Sequence, residues 1–232
     1  MSGFTLALAA FVLLHIGVSA TGLRALVVKR IGEGPYRGLF SLASLALLVW
    51  LIVAYGAMRR DPADPLNTHF WSPPETLRYA TYVFVFLGFV LGVSGLLTPG
   101  PTTAGFESAL KKAEPAKGVL RITRHPFLWG VALWAAGHLL INGERFAVML
   151  FGALGFMALM GTRSIDRKRQ ARDPEHWARF AAVTSNVPFA AIFQGRNSLR
   201  IGEFWWRAFA AMIAFAAVGY FHGALIGVPA FR

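Results

Sequence analysis

The chain has no cysteine. This excludes disulfides, thiolate metal sites and covalent c-type haem attachment through a C-x-x-C-H motif. Acidic residues are scarce, 11 Asp and Glu against 23 Lys and Arg, giving a net charge of +12. Such an excess would suit nucleic acid if it gathered on one face. Here the basic residues fall in loops between apolar runs, which is what membrane topology demands, so no nucleic-acid partner is expected. The opening stretch, MSGFTLALAAFVLLHIGVSA, lacks a basic n-region. It reads as a retained span rather than a cleaved leader. There is no internal repeat and no sign of a second, soluble domain.

Apolar sequence is abundant. The chain is 56% hydrophobic with a mean hydropathy of +0.52, above the roughly 45–50% of soluble domains. Runs approaching about 20 apolar residues indicate transmembrane helices. Six are expected, over Phe4–Ala20, Gly38–Ala57, Tyr79–Thr98, Pro126–Asn142, Phe146–Thr162 and Trp205–Leu225. The fold class is therefore an all-α, polytopic membrane helical bundle, one domain over residues 1–232, with lipid around it. Only Gly143, Glu144 and Arg145 separate the fourth and fifth spans, which predicts an antiparallel hairpin. The odd-numbered loops carry 17 Lys and Arg, and the even loops and termini five. The positive-inside rule then puts both termini outside and the odd loops in the cytoplasm. In the fifth loop, Pro174 interrupts any single helix, and two short helices on the inner membrane surface are expected.

Six histidines are present: His15, His69, His125, His138, His176 and His222. His138 lies inside the stretch RITRHPFLWGVALWAAGHLLIN (Arg121–Asn142), deep in the fourth span, and His15 lies in the first. An ionisable group at membrane depth is a functional-site candidate. Imidazole suits iron, zinc and copper. Two membrane histidines, with neither cysteine nor clustered carboxylate, fit non-covalent b-type haem. A hydrogen bond to a neighbouring helix is the plainer alternative for either. Gly137 beside His138, and Gly17 after His15, would admit a flat ligand or another backbone. His138 stands about 18 Å from the inner end of its span and His15 about 8 Å, which is easier for a tilted macrocycle than for one metal ion. His125 is about 20 Å from His138 along the axis and cannot join it as a ligand. Arg121, Arg124 and His125 instead belong to the inner surface, as ordinary positive-inside charge or as an anion site for a propionate, phosphate or carboxylate, which Arg24 could join. His69 and His176 read as solvated loop residues, and His222 as a core or interface residue.

Three segments, LHIGVSATGLR (Leu14–Arg24), PYRGLFSLASLALLVWLIVAY (Pro35–Tyr55) and RITRHPFLWGVALWAAGHLLINGE (Arg121–Glu144), resemble the NnrU family of bacterial membrane proteins. The resemblance runs from the N-terminus to about Pro188. It implies a multi-pass protein of the cell inner membrane. It also implies an association with denitrification, and so a respiratory enzyme partner for nitrite or nitric oxide reduction. The plant zeta-carotene cis–trans isomerase is a relative, holding b-type haem between two histidines whose positions look like His15 and His138 here. The resemblance thus implies haem b ligated by His15 and His138, and a redox-gated isomerisation of an apolar polyene. In that reading the substrate is a lipophilic small molecule, and Arg24, Arg124 and His125 are cofactor-binding candidates. A non-enzymatic haem-binding accessory protein is the second reading.

R-x-x-R-H-P-x-x-x-G, followed by an acidic, basic and aromatic segment (Asp166–Pro188), is similar to the isoprenylcysteine and phospholipid methyltransferases. That similarity implies S-adenosylmethionine held by Arg124, His125 and Asp166. Those families usually carry a pair of glutamates where this chain has Asp166 alone, so a shared fold is the stronger expectation.

Overall fold

The computed structural model describes residues 2–18 and 21–230. The expected end of the first span at Ala20, and Arg232 in the charge count, lie outside the described residues. Among the described residues the structure is helical, with one isolated antiparallel bridge between His69 and Glu144. The helices are α1 (Gly3–Leu13), α2 (Leu23–Ile31), α3 (Glu33–Arg59), α4 (Leu77–Leu96), α5 (Pro126–Ile141), α6 (Arg145–Arg172), α7 (Pro174–Val183), α8 (Ala190–Phe193) and α9 (Trp205–Ile226).

The long apolar helices fall where hydropathy places them. α3, α4, α6 and α9 are each long and apolar enough to cross a membrane. Only 11% of the apolar window of α3 and 6% of that of α9 is buried. Leu39, Leu42, Leu45, Ile52 and Val53 on α3, and Phe209, Ile213, Phe221 and Leu225 on α9, are exposed. Apolar surface of this extent is stable against lipid rather than water. α5 has 16 residues and is apolar apart from His138.

The first span departs from the expected straight helix. The α-helical part ends at Leu13 and widens into a π turn over Leu14–Val18, with α2 bent from it by 76°. By length the two pieces cross a membrane only together. Gly32, at φ 85°, then separates α2 from α3 in a conformation that favours glycine. The basic stretch after the fifth span is not a free surface helix. No helix breaker occurs between Thr162 and Arg172, so α6 runs on to the residue before Asp173. Asp173 caps α7 by accepting from the His176 N–H, and Pro174 occupies its first turn.

The chain divides into two compact units, Met1–Ser72 with Asn142–Ala153, and Pro73–Ile141 with Leu154–Arg232. In the first, α1 packs on α3 around an aromatic core. Phe4 and Phe146 are buried, and the Tyr55 ring lies 5.0 Å from that of Phe146 and 6.2 Å from that of Phe4.

In the second unit α4 packs on both α5 and α9. The α4–α5 seam is backbone against backbone. A Cβ on Gly130 would meet Gly92 N at 2.5 Å and Gly88 O at 2.7 Å, and one on Gly95 would meet Phe127 N at 2.7 Å. Small residues permit this approach in lipid, where packing rather than hydrophobicity holds helices together. Farther along, the Thr81 hydroxyl donates to the Gly137 carbonyl at 3.0 Å. Of the two uses open to Gly137, the structure shows the admission of another backbone. The predicted hairpin is borne out by antiparallel contacts, Ala135 against Gly155 and Leu128 against Gly161.

Candidate functional site

His15 sits in the π turn, a feature that recurs at functional sites in helices. Its Nδ1 lies 2.8 Å from the Phe11 carbonyl. A carbonyl only accepts, so Nδ1 is the donor in this contact. The ring is held between Phe11, at 4.2 Å, and Phe40, at 5.4 Å. His138 repeats the arrangement on α5. Its Nδ1 donates to the Trp134 carbonyl at 2.8 Å, and its ring packs on Trp134 at 4.7 Å. Metal-ligating histidines characteristically donate their second N–H in this way, which fixes tautomer and ring orientation. Both imidazoles thus share the fixed ring orientation that a metal ligand requires. His222 is fixed similarly by the Val228 carbonyl. His69 is half exposed and 3.6 Å from Glu144, and His176 pairs with Asp173 at 2.8 Å.

Arg124 and His125 are drawn to one carboxylate. His125, its side chain 1% exposed, places Nε2 2.6 Å from Asp166 Oδ1. Arg124 donates from Nε and Nη2 to both oxygens, the shortest bond being 2.6 Å. Asn186 adds a bond at 3.3 Å and receives one from the Trp129 indole at 3.2 Å. Trp177 covers the Arg124 guanidinium at 5.3 Å. Burial alone would raise the Asp166 carboxyl; the bonds from His125 and Arg124 outweigh it and hold the group below the ordinary carboxylate range. The residues that a methyltransferase reading would assign to a ligand are thus bonded to one another.

Arg121, three residues earlier, faces a different way. It makes a two-pronged contact with Glu203, both bonds 2.9 Å, and further bonds to Glu114 at 2.7 Å and Asn197 at 2.8 Å. The Gly118 N–H adds a bond to Glu203 at 2.7 Å. The Arg121 guanidinium, opposed by partial burial, brings Glu203 down to about 2. Arg24 belongs to the other unit, where it pairs with Glu33 at 2.6 Å and lies over the Tyr36 ring.

Sequence reasoning did not find Glu114, Glu203 and Asn186. The usable signal was the scarcity of acid: with 11 carboxylates for 23 cations, each loop carboxylate should have a cation committed to it.

These positions can be set beside known proteins. The family model described as "NnrU protein" matches residues 3–230. The chain belongs to the NnrU family. This NnrU chain is 30% identical to the chloroplastic 15-cis-zeta-carotene isomerase of Arabidopsis thaliana over 232 residues, which is 96% of the chain and 59% of the plant protein. It is also 30% identical to the Zea mays protein of the same name over 200 residues, 82% of the chain and 50% of that relative. The chain thus spans between half and three-fifths of the length of the curated relatives it matches. No solved structure matches it.

Proposed function

We propose that this NnrU protein binds haem b through His15 and His138 and isomerises a cis double bond in an apolar polyene, within a bacterial inner membrane. The observation that carries the reading is the shared geometry of the two histidines. Each Nδ1 is committed to a carbonyl one turn back, which fixes the orientation of both rings as a metal ligand requires. The similarity to proteins named 15-cis-zeta-carotene isomerase supplies the reaction class. Bound iron would supply a redox-controlled Lewis acid for a double bond. The protein's part is to orient two imidazoles with Phe11, Phe40 and Trp134 and to keep water from the apolar spans. Arg124 and His125 then contribute through Asp166, by fixing the start of the helix that carries His138.

The test is an absorption spectrum of the detergent-purified protein, oxidised and dithionite-reduced, beside His15→Ala and His138→Ala. A Soret band with sharp reduced bands, altered in both variants, is expected. A colourless protein from haem-replete cells overturns the reading. Haem binding with no turnover of any cis-polyene supplied would leave the cofactor and remove the isomerase.

A further inference from the structure

A cavity of about 600 Å³ opens beside the Arg121 network, lined by residues between 110 and 121 in the α4–α5 connection, by α7 and by residues between 195 and 200. Five cations line it: Lys112, Arg121, Arg179, Arg196 and Arg200. One carboxylate, Glu114, lines it too, and that group is already engaged by Arg121 at 2.7 Å, Arg200 at 3.3 Å and Lys117 at 3.5 Å. The wall is therefore strongly and locally positive.

The cations divide into two sorts. Arg121 and Arg196 have spent their donors inside the protein. Arg196 donates from Nη1 to the carbonyls of Ala181, Ala182 and Thr184, closing the C-terminal end of α7, and from Nε and Nη2 to Gln194. Arg121 is balanced by Glu203 and Glu114, whereas the Arg196 charge, bonded only to carbonyls and Gln194, remains and is fixed in place. Lys112 and Arg179 are exposed, and among the described residues their side chains make no hydrogen bond or ion pair. Arg200 makes only long contacts, 3.3 Å to Glu114 and 3.4 Å to Glu203, both from Nη1. The rigid Arg196 guanidinium, with Lys112, Arg179 and the loosely paired Arg200 beside it, suits an anion with several acceptor oxygens, above all a phosphate.

The surroundings decide which phosphate. Leu199 and Ile201 flank Arg200, and Ile201 is 64% exposed. Phe193, just before the turn, is 86% exposed, and Trp205, which opens the lipid-facing α9, is 60% exposed. Alternating exposed apolar and cationic side chains at the mouth of a span belong at the headgroup layer, where the apolar groups enter the bilayer and the cations stay at its surface. We infer that this groove binds the phosphate of an anionic phospholipid through Lys112, Arg179 and Arg200. The inference does not depend on haem or on the isomerase reading.

The experiment is native mass spectrometry of the full-length protein released from detergent containing equal dioleoylphosphatidylglycerol and dioleoylphosphatidylcholine. Preferential retention of the phosphatidylglycerol is expected. The preference should fall about fivefold for each cation removed in Lys112→Ala, Arg179→Ala and Arg200→Ala. Arg30→Ala, on α2 in the other unit, should leave it unchanged. Arg179→Glu, at an exposed and unbonded position, keeps the test informative if a multiple variant misfolds. Equal retention of the two lipids, or full preference in Arg179→Glu, overturns the inference. Complete displacement of the lipid by millimolar inorganic phosphate would assign the groove to a soluble phosphate, and so overturn the lipid assignment.

Discussion

Gly130→Ala should separate α4 from α5. The added methyl would stand 2.5 Å from Gly92 N, 2.6 Å from Gly92 Cα and 2.7 Å from Gly88 O. All three are backbone atoms, so no rotamer change relieves the clash. Ordinary contact begins near about 3.5 Å, so the helices must part by about 1 Å. Overpacking of this kind costs about 1–3 kcal/mol. The Thr81–Gly137 bond between the same helices weakens with it, adding about 0.6 kcal/mol, the typical worth of an interhelical bond in a membrane protein. Alanine is the better helix former by about 1 kcal/mol, so a net loss of about 1–2.5 kcal/mol is expected. Gly152→Ala is the control, because nothing lies within 4 Å of its Cβ position. Equilibrium unfolding of the detergent-solubilised protein by denaturant would read both. Gly130→Ala within 0.5 kcal/mol of wild type, as expected only of an open site, would refute the close seam.

Asp166→Asn should destabilise by about 3 kcal/mol, because it leaves Arg124 and His125 half-buried or buried without their counter-charge; the same unfolding measurement checks it. Arg196→Ala should cost about 1 kcal/mol by freeing the carbonyls at the end of α7, seen as faster hydrogen exchange over residues 181–184. Glu203 has its pKa lowered on folding, so its contribution is present above the unfolded value of 4.5 and lost as pH falls toward about 2. After discounting for its solvent contact this amounts to about 1–2 kcal/mol. Glu203→Gln should flatten the stability profile between pH 4.5 and 2 and lower stability at pH 7.

Much of the architecture was legible because lipid imposes a simple rule on composition. The windows Gly38–Ala57, Tyr79–Thr98 and Trp205–Leu225 fall on α3, α4 and α9 to within a few residues. Hydropathy could not reveal the π turn at His15, since Leu14–Val18 continues the apolar run and the deviation lies in hydrogen-bond register. It also could not extend α6 past Thr162, because charge ends a span without ending a helix. The site was harder. Arg121, Arg124 and His125 read as one basic cluster in sequence. The 3-10 segment Gly118–Arg121 ends at Arg121, and the chain leaves helical geometry before α5; Arg121 meets Glu203 while Arg124 and His125 meet Asp166. Their partners lie about 40 to 80 residues away, a separation over which spacing carries no information.

Those distant pairings explain why so few carboxylates suffice. Glu203 ties the start of α9 to the segment before α5, and Asp166 ties the end of α6 to the start of α5. Arg207 joins the same end of the unit to α4 through the Leu97 carbonyl at 3.0 Å, and Arg169 joins it through the Pro101 carbonyl at 2.9 Å. Four helices are thus fixed at one end by directional, charge-assisted bonds, while their apolar lengths are held by packing that has little directional preference. Depth along α5 follows from this clamp. His138 stands 12 residues beyond Pro126, about 18 Å along the axis, and a rigid helix carries the position of its first turn to that depth. The RHP segment therefore governs where the His138 imidazole lies without approaching it. A group ligated by His138 should accordingly respond to Asp166→Asn by a change in ligand geometry, seen as broadened absorption or resonance Raman bands. On the proposed ligation, His138→Ala should instead abolish those bands.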